Sequence, residues 1–112
     1  MFKYKELTEI CKKLCNKYNL VYGFGNGYIY GYIYGNGFSW IIINVTNGAL
    51  TERPRLLITD WKFGNCIDCS KIFDVTTKSF DEIEKCLKES IKKFKECCVK
   101  DRLYNMEQDF EN

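Results

Sequence analysis

Cysteine is the residue type here with the most chemistry to offer, and histidine the one most conspicuously missing, with seven of the former and none of the latter. The pair Cys66-x-x-Cys69, inside Gly64-Asn65-Cys66-Ile67-Asp68-Cys69, has the spacing of half a zinc site. A complete site would need a second pair from Cys11 and Cys15, or a ligand from the adjacent Cys97 and Cys98, which are awkwardly placed to share one tetrahedron. Redox dithiols open a helix after a strand, whereas this motif leads into a strand. An odd number of cysteines cannot all pair within one chain, so ordinary reduced thiols are the expectation, with no bound cofactor and Cys66 and Cys69 as the weak metal candidates.

The lack of histidine removes the usual general base, the usual partner of a Ser or Cys nucleophile and the commonest metal ligand. Carboxylates remain at Asp60, Asp68 and Asp74. Asp60-Trp61-Lys62 is similar to the acid-x-lysine element of metal-dependent nucleases, but so short a triplet arises easily by chance. The glycines of Gly23-x-Gly25-x-Gly27 suggest a phosphate loop, yet such loops lead from a strand into a helix, and these lead from strand to strand. No catalytic constellation emerges, and the expectation is that the protein is not an enzyme.

The elements that would position any site follow from periodicity. Leu7, Ile10, Cys11, Leu14 and Tyr18 form one apolar face of a helix over Lys3–Tyr18, with Asn19 as its stop. Strands are predicted at Leu20–Phe24, Tyr28–Tyr34 and Phe38–Thr46, punctuated by Gly25-Asn26-Gly27 and Gly35-Asn36-Gly37. Asn47–Pro54 reads as a loop, Arg55–Trp61 as a fourth strand, Phe63–Ser70 as a turn and Lys71–Thr76 as a short fifth strand at an edge. Ser79 with Glu82 is a capping-box signature, and Phe80, Ile83, Leu87, Ile91, Phe94 and Cys98 continue one helical stripe, with residues 101–112 extending it or fraying. The expected fold is α+β: a five-stranded antiparallel meander between an N-terminal and a C-terminal helix, order α-β-β-β-β-β-α, in a single domain over 1–112.

Composition narrows the partners. The net charge of +2 comes from 17 basic and 15 acidic residues, which gives no global pull toward nucleic acid or an anionic membrane. The first residues alternate in charge where an export leader would be apolar, and Ile41–Ile43 beside Trp40 is too short to span a bilayer; a cytoplasmic protein is expected. Lys, Ile, Asn and Tyr supply 42 of the 112 residues, the usage of A/T-rich coding, which suggests a low-GC microbe or its phage.

Against that charge-rich background, no Asp, Glu, Lys or Arg occurs over the thirty-four residues from Tyr18 to Thr51. Within this stretch Tyr28, Tyr30, Tyr32 and Tyr34 share one strand face, and Ile29, Gly31 and Ile33 the other. If each Gly-Asn-Gly is a three-residue loop, Tyr34 faces Phe38, Tyr32 faces Trp40 and Tyr22 faces Tyr30, with Ile29, Ile33, Ile41, Ile43 and Val45 opposite. If the loops are two-residue Asn-Gly turns, the register slips by one and Tyr32 faces Ile41. The first pairing is preferred because it separates aromatic from aliphatic side chains.

The expected site is therefore a protein-binding face made of Tyr22, Tyr28, Tyr30, Tyr32, Tyr34, Phe38 and Trp40, docking a larger host protein or a second copy of the chain as a homodimer. The bland reading is that the tyrosines are good strand formers, partly covered by Met106 and Phe110. A small phage or mobile-element inhibitor, anti-CRISPR-like by class analogy, would act through such a surface. The alternatives are nucleic-acid binding through the helix lysines (Lys3, Lys5, Lys12, Lys13 and Lys17, with Lys85, Lys88, Lys92, Lys93 and Lys95) and a zinc-stabilised module.

Overall fold

A computed structural model describes residues 3–25, 28–47 and 53–111, with side chains at 109–111 excepted. Helix α1 spans Tyr4–Lys17; of the expected stripe Leu7, Cys11 and Leu14 are buried, Ile10 and Tyr18 are half-buried, and Cys15 joins the buried set. It ends where Asn19 adopts φ 56°, a left-handed residue that lets the Leu20 N–H reach back to the Cys15 carbonyl at 2.8 Å.

Five strands follow: β1 Val21–Gly25, β2 Tyr28–Gly35, β3 Phe38–Thr46, β4 Arg55–Phe63 and β5 Ile67–Asp74. They pair antiparallel in chain order as one sheet, so the expected α+β meander is the fold observed. The fifth strand lies at the edge as expected but is longer and begins earlier. β4 runs on to Phe63 and β5 starts at Ile67, so the turn shrinks to 64–66. Turn residues 26 and 27 and most of the expected 47–54 loop lie outside the described residues.

Helix α2, Phe80–Glu111, opens with the expected cap: the Glu82 N–H donates to Ser79 Oγ at 3.3 Å, and the Ser79 hydroxyl donates to Glu82 Oε1 at 3.2 Å. Its 32 residues continue through the segment that could have frayed. At 1.5 Å per residue the helix is about 48 Å long, nearly the 53 Å long axis of the molecule.

Both helices lie on the same sheet face and share one core with it. Leu7, Cys11 and Leu14 of α1, and Ile83, Leu87 and Phe94 of α2, are buried with Ile29, Ile42, Ile43, Val45, Leu56 and Ile58 of the sheet. Two glycines make the approach possible. A Cβ at Gly31 would run into Cys15 Sγ, and one at Gly35 would sit 3.0 Å from the Phe94 ring and 3.1 Å from Cys98 Sγ. At one end the helices are tied together by Glu84, whose Oε2 accepts from Lys17 Nζ at 2.6 Å and from the Tyr18 hydroxyl at 2.8 Å. No helix among the described residues is long and apolar enough to cross a membrane.

The preferred hairpin register is corrected. Asn36 at φ 50° and Gly37 at φ 87° form a two-residue turn, so Gly35 pairs with Phe38, Ile33 with Trp40 and Tyr32 with Ile41. The reason is geometric: two left-handed residues in succession match the twist of the flanking strands, which a longer loop would not enforce. Separation of side-chain types is then recovered by other means. A register shift between Gly31 and Tyr32 leaves Ile42 without a partner in the ladder, and Ile42 and Ile43 both turn toward the helices. The β1–β2 pairing follows the same slipped register, with Tyr22 opposite Gly31 instead of Tyr30.

Candidate functional site

Strand β2 sets the arrangement because its residues alternate between a helix-covered face and a bare one. Ile29, Gly31, Ile33 and Gly35 meet the helices; Tyr28, Tyr30, Tyr32 and Tyr34 face away from them. On the bare face the tyrosines are joined by Val21 and Gly23 from β1, Ser39, Ile41, Asn44 and Thr46 from β3, Leu57 and Thr59 from β4, and Ile72 from β5. Among the described residues, charged side chains enter this face on β4 and β5, at Arg55, Lys62, Asp68 and Asp74.

The tyrosine rings form a row. Tyr30 and Tyr32 lie 6.0 Å apart between centroids, and Tyr32 and Tyr34 lie 5.5 Å apart, edge to face at 82°. The row is held from both sides. Tyr30 lies against the bare backbone of Gly23, where an added Cβ would come within 2.8 Å of the ring. The neighbouring Tyr34 hydroxyl, followed by partial desolvation, holds the Tyr32 phenol above its ordinary value. Tyr34 at 66%, Ile72 at 59%, Tyr28 at 50% and Ile41 at 46% remain exposed. The face is large, uncharged over β1 to β3 and preorganised, which suits docking against another protein surface.

Three expected site residues are not on it. Tyr22 lies on the helix side, where it borders a groove with Glu9, Lys12, Lys13, Cys15, Asn16 and Leu20. Trp40 belongs to the core: its ring packs 5.7 Å from Phe94 and 5.9 Å from Trp61, and its Nε1–H donates to the Gly35 carbonyl at 2.8 Å. Phe38 stands beside Trp40 at 6.2 Å on the helix side, at the margin and still exposed. All three corrections have one cause, the single-residue slip of each hairpin, which moves every β1 and distal β3 side chain to the opposite face. The same slip brings out Ile41, which had been expected inside.

The other candidates are dispersed. Asp60 is almost buried at the edge of α2, paired with Lys93 at 3.3 Å, whereas Lys62 points to the bare face, so the acid-x-lysine triplet does not converge. Asp74 accepts from the Thr76 hydroxyl and N–H, and so caps the end of β5. Cys66 and Cys69 are exposed on the turn and on β5, while Cys11 and Cys15 are buried in α1. The Cys11 thiol is pushed well up, first by its hydrogen bond with Cys15 and then by burial, and so is held as an unreactive thiol. Among the described residues no three His, Cys, Asp or Glu side chains gather as a metal site. Several helix lysines are engaged within the molecule: Lys17 with Glu84, Lys93 with Asp60, and Lys13 over the Phe80 ring at 5.1 Å.

Sequence reasoning missed Asn36 as an anchor. Its side-chain amide donates to Asp101 Oδ2 at 2.8 Å and to the Cys98 carbonyl at 3.2 Å, fastening the hairpin tip to α2. The local signal, Asn before Gly in a turn, indicated only its backbone role. No family model, no curated protein and no solved structure matches the chain, so the functional reading rests on the geometry.

Proposed function

We propose that this is a non-catalytic protein-binding domain that docks a partner protein on the bare face of its sheet. The observation that carries this reading is the row Tyr28, Tyr30, Tyr32 and Tyr34, extended by Ile41, Leu57 and Ile72 and left uncovered by both helices. Tyrosine offers wide amphipathic contact at low entropic cost, and a face without charge over β1 to β3 favours a partner surface that is itself apolar at its centre. Occlusion of that surface would suffice for an inhibitor, with no chemistry required of the domain. The binding energy is expected to concentrate at Tyr32 and Ile41, which pair with each other, with Tyr34 beside them toward the hairpin tip.

The test is affinity for a partner isolated with the wild-type protein and then purified, compared among wild type, Tyr32→Ser/Tyr34→Ser and Ile41→Glu. Both variants are expected to weaken binding about tenfold or more while the circular dichroism spectrum is unchanged, and wild-type affinity should vary little with salt. Equal affinity in all three, or affinity that falls steeply with salt and depends on helix lysines, would overturn the reading. The steep salt dependence would favour nucleic-acid-type electrostatics instead.

A further inference from the structure

Helix α2 carries a second apolar feature unrelated to the tyrosine face. From Phe80 to Cys98 the side of α2 turned from the sheet is charged, with Lys85, Lys88, Glu89, Lys92 and Glu96 exposed along it. At Val99 the pattern changes: Val99, Leu103 and Met106, spaced four and three residues apart, form a stripe on that outward side. They are 47%, 54% and 55% exposed. The sheet-facing side of the same turns is already occupied, by Asp101 bonded to Asn36 and by Tyr104 against Phe63 at 6.1 Å. The stripe therefore has nothing of its own chain to bury against.

We infer that the C-terminal half of α2 pairs antiparallel with the same segment of a second copy. The spacing is that of alternating d and a positions of a coiled-coil seam, with Val99 and Met106 at d and Leu103 at a. The flanking charges select both occupant and direction. Lys100 and Glu107 lie along one flank of the stripe, at e, and Arg102 along the other, at g, all exposed. An antiparallel pair centred between Leu103 and Met106 packs Leu103 of one copy on Met106 of the other and sets each Glu107 beside the other copy's Lys100, on the flank the two residues share. A parallel pair would set Arg102 beside Glu107 but bring Lys95 alongside Lys100, a repulsion that the antiparallel pair avoids. A stripe of this length would be marginal between isolated peptides, but here the helix is already held by the sheet, so only association has to be compensated. Because the stripe points away from the sheet, both tyrosine faces of such a dimer stay bare and outward, and the inference does not rest on the function proposed for them.

Sedimentation velocity across about 1 to 500 µM tests it, the range expected for a small seam. Wild type is expected to shift from monomer to dimer, Leu103→Glu to stay monomeric with an unchanged thermal midpoint, and Tyr32→Ser/Tyr34→Ser to dimerise like wild type. Lys100→Glu and Glu107→Lys are each expected to be monomeric alone and to form a heterodimer when mixed one to one. The inference is overturned by a wild-type monomer throughout, by a dimer indifferent to Leu103→Glu, by one lost in the tyrosine variant, or by failure of the mixture to associate.

Discussion

Trp40 and Tyr34 show how little the identity of an aromatic residue says about its task. Both lie in the charge-free stretch, yet Trp40 completes a cluster with Trp61 and Phe94, whose rings are 5.0 Å apart, while Tyr34 stands two-thirds exposed on the other side of the sheet. Trp40→Ala should destabilise the fold by about 3 kcal/mol, the low end for a buried tryptophan because its ring keeps an exposed edge. Tyr34→Ser should stay within about 0.5 kcal/mol, as surface substitutions do. Urea denaturation of the two variants checks this; equal losses would mean that the two faces are assigned wrongly. The shared face of Tyr28, Tyr30, Tyr32 and Tyr34 was legible from alternation along a single strand. The assignment of Tyr22, Phe38 and Trp40 was not, because it depends on pairing across a turn, and one residue more or fewer in that turn reverses every face. The φ-positive preference of Asn-Gly was the signal that should have outweighed the tidy segregation of side-chain types.

Among the elements, the two helices and their caps were the most readable, because Ser79, Glu82 and the stripes of Leu and Ile report local preferences that the fold does not contradict. The β3 register shift beside Gly31 was not readable: Ile41-Ile42-Ile43 gives no local sign of which isoleucine turns outward, and packing under α1 decides it. How the helices are held together is also a tertiary matter, and it has a titratable part. Lys17 and Tyr18 hold the Glu84 carboxyl below its ordinary value of 4.5, Lys17 contributing most. A carboxyl lowered in the folded state adds stability that is fully present above the ordinary value and is lost as pH falls through the lowered one. Glu84→Gln should therefore reduce the urea midpoint at pH 7, and the gap to wild type should close on acidification through the carboxylate range. A gap that is constant with pH would show that the contact between α1 and α2 does not depend on the Glu84 charge.

At the scale of the molecule, a single-layer sheet with both helices on one side must either leave its other side to water or lend it to a partner. The residues on that side are poorly matched to water: the bare face carries four tyrosines, three of the large exposed aliphatics and no charge over its first three strands. The layout also separates two kinds of contact, since the outward stripe of α2 and the tyrosine row lie on opposite sides of the sheet. A dimer built through the stripe would present two docking faces and raise apparent affinity for a repeated or dimeric partner. The sequence anticipated a charge-free three-strand stretch but not this division, because the shifted spacing at Leu103 and Met106 fits a helix that extends as well as one that frays, and only the occupied sheet-facing side of those turns directs the stripe outward.

The most direct test of the docking claim is oxidative footprinting of the protein alone and bound to its purified partner, read residue by residue by mass spectrometry. The account predicts that Tyr28, Tyr32, Tyr34, Ile41 and Ile72 lose reactivity in the complex, while Phe38 and the exposed helix residues keep theirs. Protection of α1 or of the charged side of α2, with the tyrosines still reactive, would contradict it.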